Sequence, residues 1–154
     1  MAIRRISPRI EGADRRVGIV LSRFNADIGE RLVAGALRGL AEAGVHDESV
    51  LVVTVPGALE VPLALQQLAR TGDYDGLVAL GAVIRGETYH FEIVANQSAA
   101  GVASVALDFS IPIGNGILTT ENEGQALARA DTKGYEAAQA ALEVAGLLDA
   151  IDED

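Results

Sequence analysis

Residues 76–84 read GLVALGAVI, a continuous apolar run that ends in a glycine-containing turn. A short run of this kind, without alternating polar residues, is typical of a strand that is buried on both faces. Two similar runs precede it, VGIVLS at 17–22 and VLVVTV at 50–55, and PIGNGIL at 112–118 follows it. Strands buried on both faces belong to parallel sheets that helices cover, so these four runs decide the fold class.

Helical patterns lie between the apolar runs, as the crossover connections of a parallel sheet require. The first predicted helix follows Asn25, and the second covers about residues 58–70. The third runs from Thr88, its predicted N-cap, to about Asp108. A capping-box pattern of Thr120 with Glu123 opens a fourth helix, and residues 131–134 separate it from a fifth. We therefore expect an α/β protein, a three-layer α/β/α sandwich around a flavodoxin-like four-stranded parallel sheet.

The two ends of the chain carry no pattern of a buried element. Residues 1–16 show neither a helical nor a strand period, and they are interpreted as an N-terminal arm that either pairs with a neighbouring chain or is a loose terminus. Residues 149–154 are predicted to be a frayed acidic tail. No repeat or linker divides the chain between them, so residues 1–154 are expected to form a single domain.

The charge balance excludes several classes of partner. Twelve Lys and Arg against 22 Asp and Glu give a formal net charge of −10, which disfavours binding to nucleic acid or to an anionic membrane. The chain has no cysteine, so disulfides, thiolate metal sites and cysteine nucleophiles are excluded. Its apolar runs are far shorter than a membrane span and its first residues lack a secretory signal, so we expect a cytoplasmic protein.

Candidate functional residues lie where ligands bind in such sheets, beyond the carboxyl ends of the strands. Four segments are predicted to converge on that rim, namely residues 22–25, 56–60, 83–90 and 115–122. His90 falls in the first turn of the third helix, near any anion that the unpaired amides would hold. It is either a proton-transfer group or a packing residue between its aromatic neighbours.

Several other residues each allow a functional and a structural interpretation. Phe24 either stacks on a flat heterocycle or packs in the core, and Glu60 either binds sugar hydroxyls or is a solvated first-turn carboxylate. Arg129 and Lys133 either carry phosphate charge or are ordinary helix-end cations. His46 is interpreted as a surface residue on the opposite rim. No nucleotide-binding loop, nucleophile elbow or histidine pair at ligand spacing is present, so no metal site is expected.

Four motifs nevertheless stand together in order at characteristic intervals. They are SRFN at 22–25, PGALEVP at 56–62, GAVIRGETYHF at 81–91 and GILTTEN at 116–122. Over about Val17 to Leu148 the chain closely resembles the 6,7-dimethyl-8-ribityllumazine synthase family. The resemblance implies the penultimate step of riboflavin biosynthesis, in which 5-amino-6-(D-ribitylamino)uracil condenses with L-3,4-dihydroxy-2-butanone 4-phosphate. Phosphate and water are released, and no metal or organic cofactor is needed.

The resemblance also implies roles for individual residues. His90 would transfer protons, the amides of Glu87 and Thr88 together with Arg129 would bind the butanone phosphate, and Lys133 would lie near the site. The pyrimidine and its ribityl chain would be bound by Phe24, Ala58, Leu59, Glu60, Ala82, Val83, Ile84 and Asn115. Asn115 stands where many members have an aromatic residue supplied by a neighbouring subunit, and its amide would hydrogen-bond to the ring instead of stacking on it.

The resemblance further implies a homopentamer with active sites between subunits, and the shell of 60 chains that some members form is left open. One alternative function is a non-catalytic lumazine- or flavin-binding or assembly protein on the same scaffold, which Asn115 keeps under consideration. A weaker alternative is the related archaeal-type riboflavin synthase, which should lack part of this motif set.

Overall fold

A computed structural model describes residues 2–154 of the chain. Its strands are β1 Val17–Ser22, β2 Val50–Val55, β3 Gly76–Ile84 and β4 Ile113–Thr120. Its α-helices are α1 Ala26–Glu42, α2 Val61–Thr71, α3 His90–Phe109 and α4 Glu123–Glu153. Two short 3-10 turns, Asp47–Ser49 and Ala58–Glu60, precede β2 and α2.

The four strands form one sheet in the order β2-β1-β3-β4, with every neighbouring pair parallel. This is the strand order of the flavodoxin type, so the predicted fold class is confirmed. β1 pairs with both β2 and β3, and Val17 lies opposite Val50 on one side and Gly76 on the other. β2 is added on one side of β1, and β3 and β4 follow on the other side. The strand order therefore reverses at β1, and such a reversal leaves a crevice at the carboxyl ends of the strands.

Helices cover both faces of the sheet. One hydrophobic cluster lies between the sheet and helices α1 and α4, and includes Ile19 and Leu80. The other lies between the sheet and helices α2 and α3, and includes Val20 and Ala79. Because successive side chains of a strand point to opposite faces, the continuous apolar runs of β1 and β3 supply both clusters.

The second strand has the predicted bounds but not the predicted burial. β2 lies at the edge of the sheet, and Leu51 and Val52 are 41% and 40% exposed. Within residues 2–154 no strand pairs with its outer side. An apolar edge strand of this kind is a surface on which another chain can add.

The last helix is longer and more regular than predicted. α4 continues without a break over 31 residues, so the predicted interruption at 131–134 is wrong, and so is the frayed tail, because residues 149–153 are helical. Of the four residues predicted to interrupt the helix, Gly134 serves close packing. A Cβ atom at Gly134 would lie 2.0 Å from the carbonyl oxygen of Leu32 in α1. The glycine lets the two helix backbones touch, which any side chain would prevent.

The N-terminus of α4 is capped by Asn122, not by the predicted capping box. The Asn122 side-chain oxygen accepts a hydrogen bond of 2.8 Å from the Gln125 amide. Thr120, the predicted cap, is the last residue of β4, which extends beyond the predicted end at Leu118. Because β4 continues to Thr120, this residue belongs to the strand, and the cap position falls on Asn122 instead.

Two other helices begin later than predicted. α2 begins at Val61 because residues 58–60 form a 3-10 turn, and Pro62 lies in its first turn. α3 begins at His90, with Tyr89 rather than Thr88 in the cap position. The Thr88 hydroxyl accepts only a long hydrogen bond, of 3.4 Å, from the backbone N–H of His90.

The first prediction concerns the contact between α1 and α4. In an open helix interior, Gly→Ala adds about 1 kcal/mol of stability. At Gly134 the added methyl must push the helices apart, so we expect Gly134→Ala to destabilise the protein by about 2 kcal/mol. Urea unfolding at a fixed protein concentration measures the difference.

Gly124→Ala is the matched control for this change. Gly124 is exposed in the first turn of the same helix, and its nearest neighbour to an added Cβ is the Asn122 side-chain oxygen at 3.4 Å. This variant should be as stable as the parent or slightly more stable. Equal stability of the two variants would contradict the packing role of Gly134.

Candidate functional site

A cavity of about 320 Å³ lies at the carboxyl ends of β1, β2 and β3, at the switch point of the sheet. Its lining comes from Phe24, Gly57, Ala58, Leu59, Glu60, Ala82, Val83, Ile84, Gly86, Thr88, His90, Phe91 and Val94. A volume of this size suits a small heterocycle, and the lining is mainly apolar with a few polar groups at the rim. We call it the switch-point cavity.

The switch-point cavity brings together most of the residues that the sequence singled out. They are Phe24, Ala58, Leu59, Glu60, Ala82, Val83, Ile84, Thr88 and His90. Glu87 lies between two lining residues in the same turn. Residues from three of the four predicted segments meet here because parallel strands end at one edge of the sheet, whereas none of residues 115–122 lines this cavity, so the predicted convergence of that fourth segment is wrong.

The turn after β1 holds Phe24 at the cavity. Asn25 has a positive φ of 65°, which asparagine tolerates better than most residues, and its side-chain amide donates to the Ala82 carbonyl at 3.3 Å. Asn25 is thus the N-cap of α1 by position, but its side chain makes no capping hydrogen bond. It ties the turn to β3 and leaves the Phe24 side chain 70% exposed. An exposed aromatic face beside an apolar cavity suits stacking on a flat ring.

The turn after β3 offers unpaired backbone amides. Within residues 2–154, no protein acceptor bonds to the N–H of Glu87 or of Thr88. α3 begins directly after this turn, and its N-terminus adds a partial positive charge. His90 is the first residue of the helix and is exposed. An anion held by these amides would therefore lie close to an imidazole that can exchange protons.

Arg85 is held by two carboxylates at the base of this turn. Its side chain donates to Glu121 at 2.8 Å and also to Glu92, and its guanidinium lies 4.4 Å from the centre of the Phe91 ring. The hydrogen bond from Arg85 is the main cause that lowers the pKa of Glu92 below its ordinary value. The hydrogen bond to Glu92 is likewise the main cause that raises the pKa of Arg85.

Arg129 and Lys133 lie in a different cavity. This second cavity, of about 610 Å³ and more polar, runs along β4 and α4. It is lined by Ile117, Leu118, Thr119, Thr120, Gln125, Ala128, Arg129, Thr132, Lys133 and Glu136, none of which lines the switch-point cavity. We call it the β4–α4 cavity. One chain therefore does not bring Arg129 into the cavity that holds Thr88 and His90.

Asn115 lies in neither cavity. It is an exposed residue of the outer strand β4, and its side-chain oxygen accepts a 3.0 Å hydrogen bond from the Ile117 amide. His46, the other histidine, is exposed just before β2, at the opposite end of the sheet, as predicted.

Val94 and Gln125 are among the cavity residues that were not singled out from the sequence. Val94 lines the switch-point cavity one helical turn after His90, and the i, i+4 spacing was the signal that could have found it. Gln125 lines the β4–α4 cavity, where its carbonyl accepts a 2.9 Å hydrogen bond from Arg129. No sequence signal marked it, because its role depends on where α4 lies against β4.

Metal-site clusters and membrane-spanning helices are both absent from residues 2–154. In this range no cluster of three or more His, Cys, Asp or Glu side chains has the arrangement of a metal site. None of the helices in this range has the length and apolar character needed to cross a membrane.

Comparison with known proteins places the chain in a family. The family described as 6,7-dimethyl-8-ribityllumazine synthase matches residues 14–149. A protein of that name from Burkholderia multivorans is 54% identical over 153 residues, which cover 99% of this chain and 89% of the relative. Another of that name from Burkholderia vietnamiensis is 53% identical and covers 99% of this chain and 90% of the relative. These matches extend over nearly the whole chain, and the chain therefore belongs to the 6,7-dimethyl-8-ribityllumazine synthase family.

Proposed function

We propose that this chain condenses 5-amino-6-(D-ribitylamino)uracil with L-3,4-dihydroxy-2-butanone 4-phosphate to 6,7-dimethyl-8-ribityllumazine, phosphate and water. The observation that carries the proposal is the switch-point cavity, where an exposed aromatic ring, a turn of free amides and a histidine meet. Membership of the family supports the same reaction. A non-catalytic lumazine- or flavin-binding protein is not favoured, because this arrangement includes a proton-transfer group that binding alone does not need.

The pyrimidine substrate occupies the apolar part of the cavity in this proposal. Phe24 stacks on its ring, while backbone groups of residues 82–84 and of Ala58 and Leu59 fix its edge. The Glu60 carboxylate accepts hydrogen bonds from the ribityl hydroxyls. Holding both substrates in one cavity lowers the barrier to ring closure, since the step then becomes intramolecular.

The phosphate of the second substrate binds at the N-terminus of α3. The amides of Glu87 and Thr88 hydrogen-bond to its oxygens, which stabilises the anion as it leaves. His90 moves protons between the amine, the carbonyl oxygen and the leaving phosphate during condensation and elimination. These steps use groups of the protein alone, and we propose that no cofactor or metal takes part.

Arg129 and Lys133 act on the substrates of a neighbouring chain. Neither has a carboxylate at ion-pair distance within residues 2–154, and both line a cavity separate from the amides of Glu87 and Thr88. We propose that the β4–α4 cavity of one chain faces the switch-point cavity of the next. Arg129 then pairs with the phosphate, and Asn115 approaches the pyrimidine ring from the β4 edge.

The surface of the chain supports such an assembly. A mainly apolar seam with alternating three- and four-residue spacing runs along the exposed side of α3, through Ile93, Ala100, Ala103 and Leu107 with the polar Asn96 among them. The edge of β2 is apolar and has no strand partner within residues 2–154, and residues 2–11 of the arm form neither helix nor strand and expose Ile3, Ile6 and Ile10. We propose that the seams of neighbouring chains pack together and that the arm adds to the β2 edge of a neighbour.

We propose a homopentamer as the working assembly. Shell-forming members of the family that the chain resembles have a longer connection containing glycine and lysine at the position of residues 130–134. The uninterrupted α4 has no such connection, which favours the pentamer over a shell of 60 chains. In this proposal each chain acts as a single domain and works in the cytoplasm. The partners are the two small-molecule substrates and further copies of the chain.

An assay of lumazine formation tests the proposed reaction. The protein is mixed with both substrates, and lumazine formation is followed by absorbance against a protein-free background. His90→Ala should lower kcat by about 100-fold while leaving the affinity for inorganic phosphate within about threefold, because it removes proton transfer rather than the anion site. A rate of the parent protein no higher than the background would reject the proposed reaction.

Arg129→Ala tests the assignment of the anion contact. It should raise the KM for the butanone phosphate by about tenfold, as expected for loss of a charge-assisted hydrogen bond, and leave the KM for the pyrimidine nearly unchanged. Arg31→Ala is the control, since Arg31 is an exposed cation on α1 that lines neither cavity. An unchanged KM for the butanone phosphate in Arg129→Ala would contradict the assignment.

Mixed assemblies test whether sites form between chains. His90→Ala and Arg129→Ala chains are unfolded together and refolded at equal amounts. If each site takes His90 from one chain and Arg129 from another, about a quarter of sites regain both residues, and the rate at butanone phosphate concentrations well below the KM rises above that of either variant. Activity equal to the average of the two separate variants would show that both residues act within one chain. Mass photometry of the same samples measures the assembly size.

A further inference from the structure

Arg85 has a guanidinium group that two carboxylates and an aromatic ring of its own chain hold in place. One edge bonds to Glu121 and another to Glu92, while the flat face stacks on Phe91. The backbone N–H of Arg85 also donates to the Thr120 carbonyl at 2.9 Å. A single residue thus connects the end of β3, the first turn of α3 and the end of β4.

This engagement distinguishes Arg85 from Arg129. Both are cations near the proposed phosphate site, but two carboxylates neutralise Arg85, whereas Arg129 bonds only to a backbone carbonyl within residues 2–154. An arginine whose charge no carboxylate balances suits phosphate, while one that two carboxylates already neutralise and orient attracts an anion less. Arg85 is therefore poorly suited to bind the substrate directly.

The first turn of α3 has no capping side chain to anchor it. Tyr89 in the cap position makes no side-chain capping hydrogen bond, and residues 85–90 are all exposed. Glu92 lies in this first turn, so its bond to Arg85 anchors the start of α3 to the sheet. His90 lies between the two bonded residues in sequence and next to the stacked Phe91.

The same residue reaches toward the β4–α4 cavity. Glu121 is its second carboxylate partner, and the backbone N–H of Glu121 donates a 2.8 Å hydrogen bond to the side-chain oxygen of Gln125. The backbone carbonyl of Gln125 in turn accepts the hydrogen bond from Arg129. A continuous series of contacts therefore leads from the start of α3 to the cation of the other cavity.

We propose that Arg85 is a positioning residue of the reaction, which holds His90 and the amide turn in place through Glu92 and Phe91. It acts through these residues and does not contact the phosphate. The proposal rests on the proposed function, since it concerns the geometry of the same site. Its signature is a loss in kcat that appears whichever partner of the Arg85–Glu92 pair is changed.

The test compares Arg85→Gln, Glu92→Gln and the double variant. Each single change should lower kcat by about tenfold, because loss of alignment of reacting groups has effects of this size, with the affinity for inorganic phosphate reduced less than threefold. The double variant should be no worse than the poorer single variant, since both changes break one contact. Arg85→Lys should stay impaired, because an ammonium cannot bridge both carboxylates and stack on the ring.

The opposite assignment makes the opposite prediction for Glu92→Gln. If Arg85 bound phosphate directly, freeing it from Glu92 would tighten the binding of inorganic phosphate, and Arg85→Lys would restore much of the activity. Either result would overturn the positioning role. Unchanged kinetics in Arg85→Gln, with an active parent protein, would overturn it too, whereas an inactive parent would reject the proposed function itself.

Arg38→Gln is the matched control. Arg38 is also a half-exposed arginine that bridges two carboxylates, Glu42 and Asp131, and stacks on an aromatic ring at 4.9 Å. It lines neither cavity, so this change should leave kcat and phosphate affinity unchanged. If Arg85→Gln does not fold, Arg85→Lys and Glu92→Gln carry the test by the same kinetic criteria.

Discussion

Backbone contact between α4 and its neighbours is the constraint on which the rest of this structure depends. Glycines allow it at three points, where an added Cβ would lie about 2 Å from a carbonyl oxygen: Gly134 against Leu32, Gly35 against Asp131, and Gly114 against Ala137. Because the backbones come this close, the 31-residue helix α4 packs against both α1 and β4 along much of its length. The outer strand and the long helix are thereby fixed relative to each other, and the β4–α4 cavity lies between them.

That constraint also determines how the chemistry is divided. Three strand ends and the start of α3 form one cavity at the switch point, while α4 carries Arg129 and Lys133 along the far edge of the sheet. A single chain thus presents two sets of candidate site residues on separate surfaces. The proposed contact between chains would bring the two sets together, and the apolar seam on α3 and the unpaired edge of β2 provide surfaces for it.

The few cations after residue 38 have different electrostatic surroundings in a strongly acidic chain. Carboxylates neutralise Arg85, which lowers the pKa of Glu92 and ties three elements together. Arg129 and Lys133 keep their charge without a paired carboxylate in residues 2–154, and an uncompensated positive charge in an acidic protein attracts an anionic ligand. Residue type and proximity to the site alone do not distinguish these two roles.

The amino-acid sequence by itself determined the elements of the sheet and the residues at its carboxyl rim. Apolar runs marked β1, β2 and β3 at their observed bounds, and parallel pairing then required that the segments after them meet at one edge. Tertiary structure decided what local patterns do not record. Gly134 looks like a helix break in sequence but is a contact point, and β2 looks buried but lies at an edge. The separation of Arg129 from His90 and the engagement of Arg85 likewise depend on where α4 and β4 lie, because hydrogen bonds and backbone contacts between distant segments form only when the whole chain is folded.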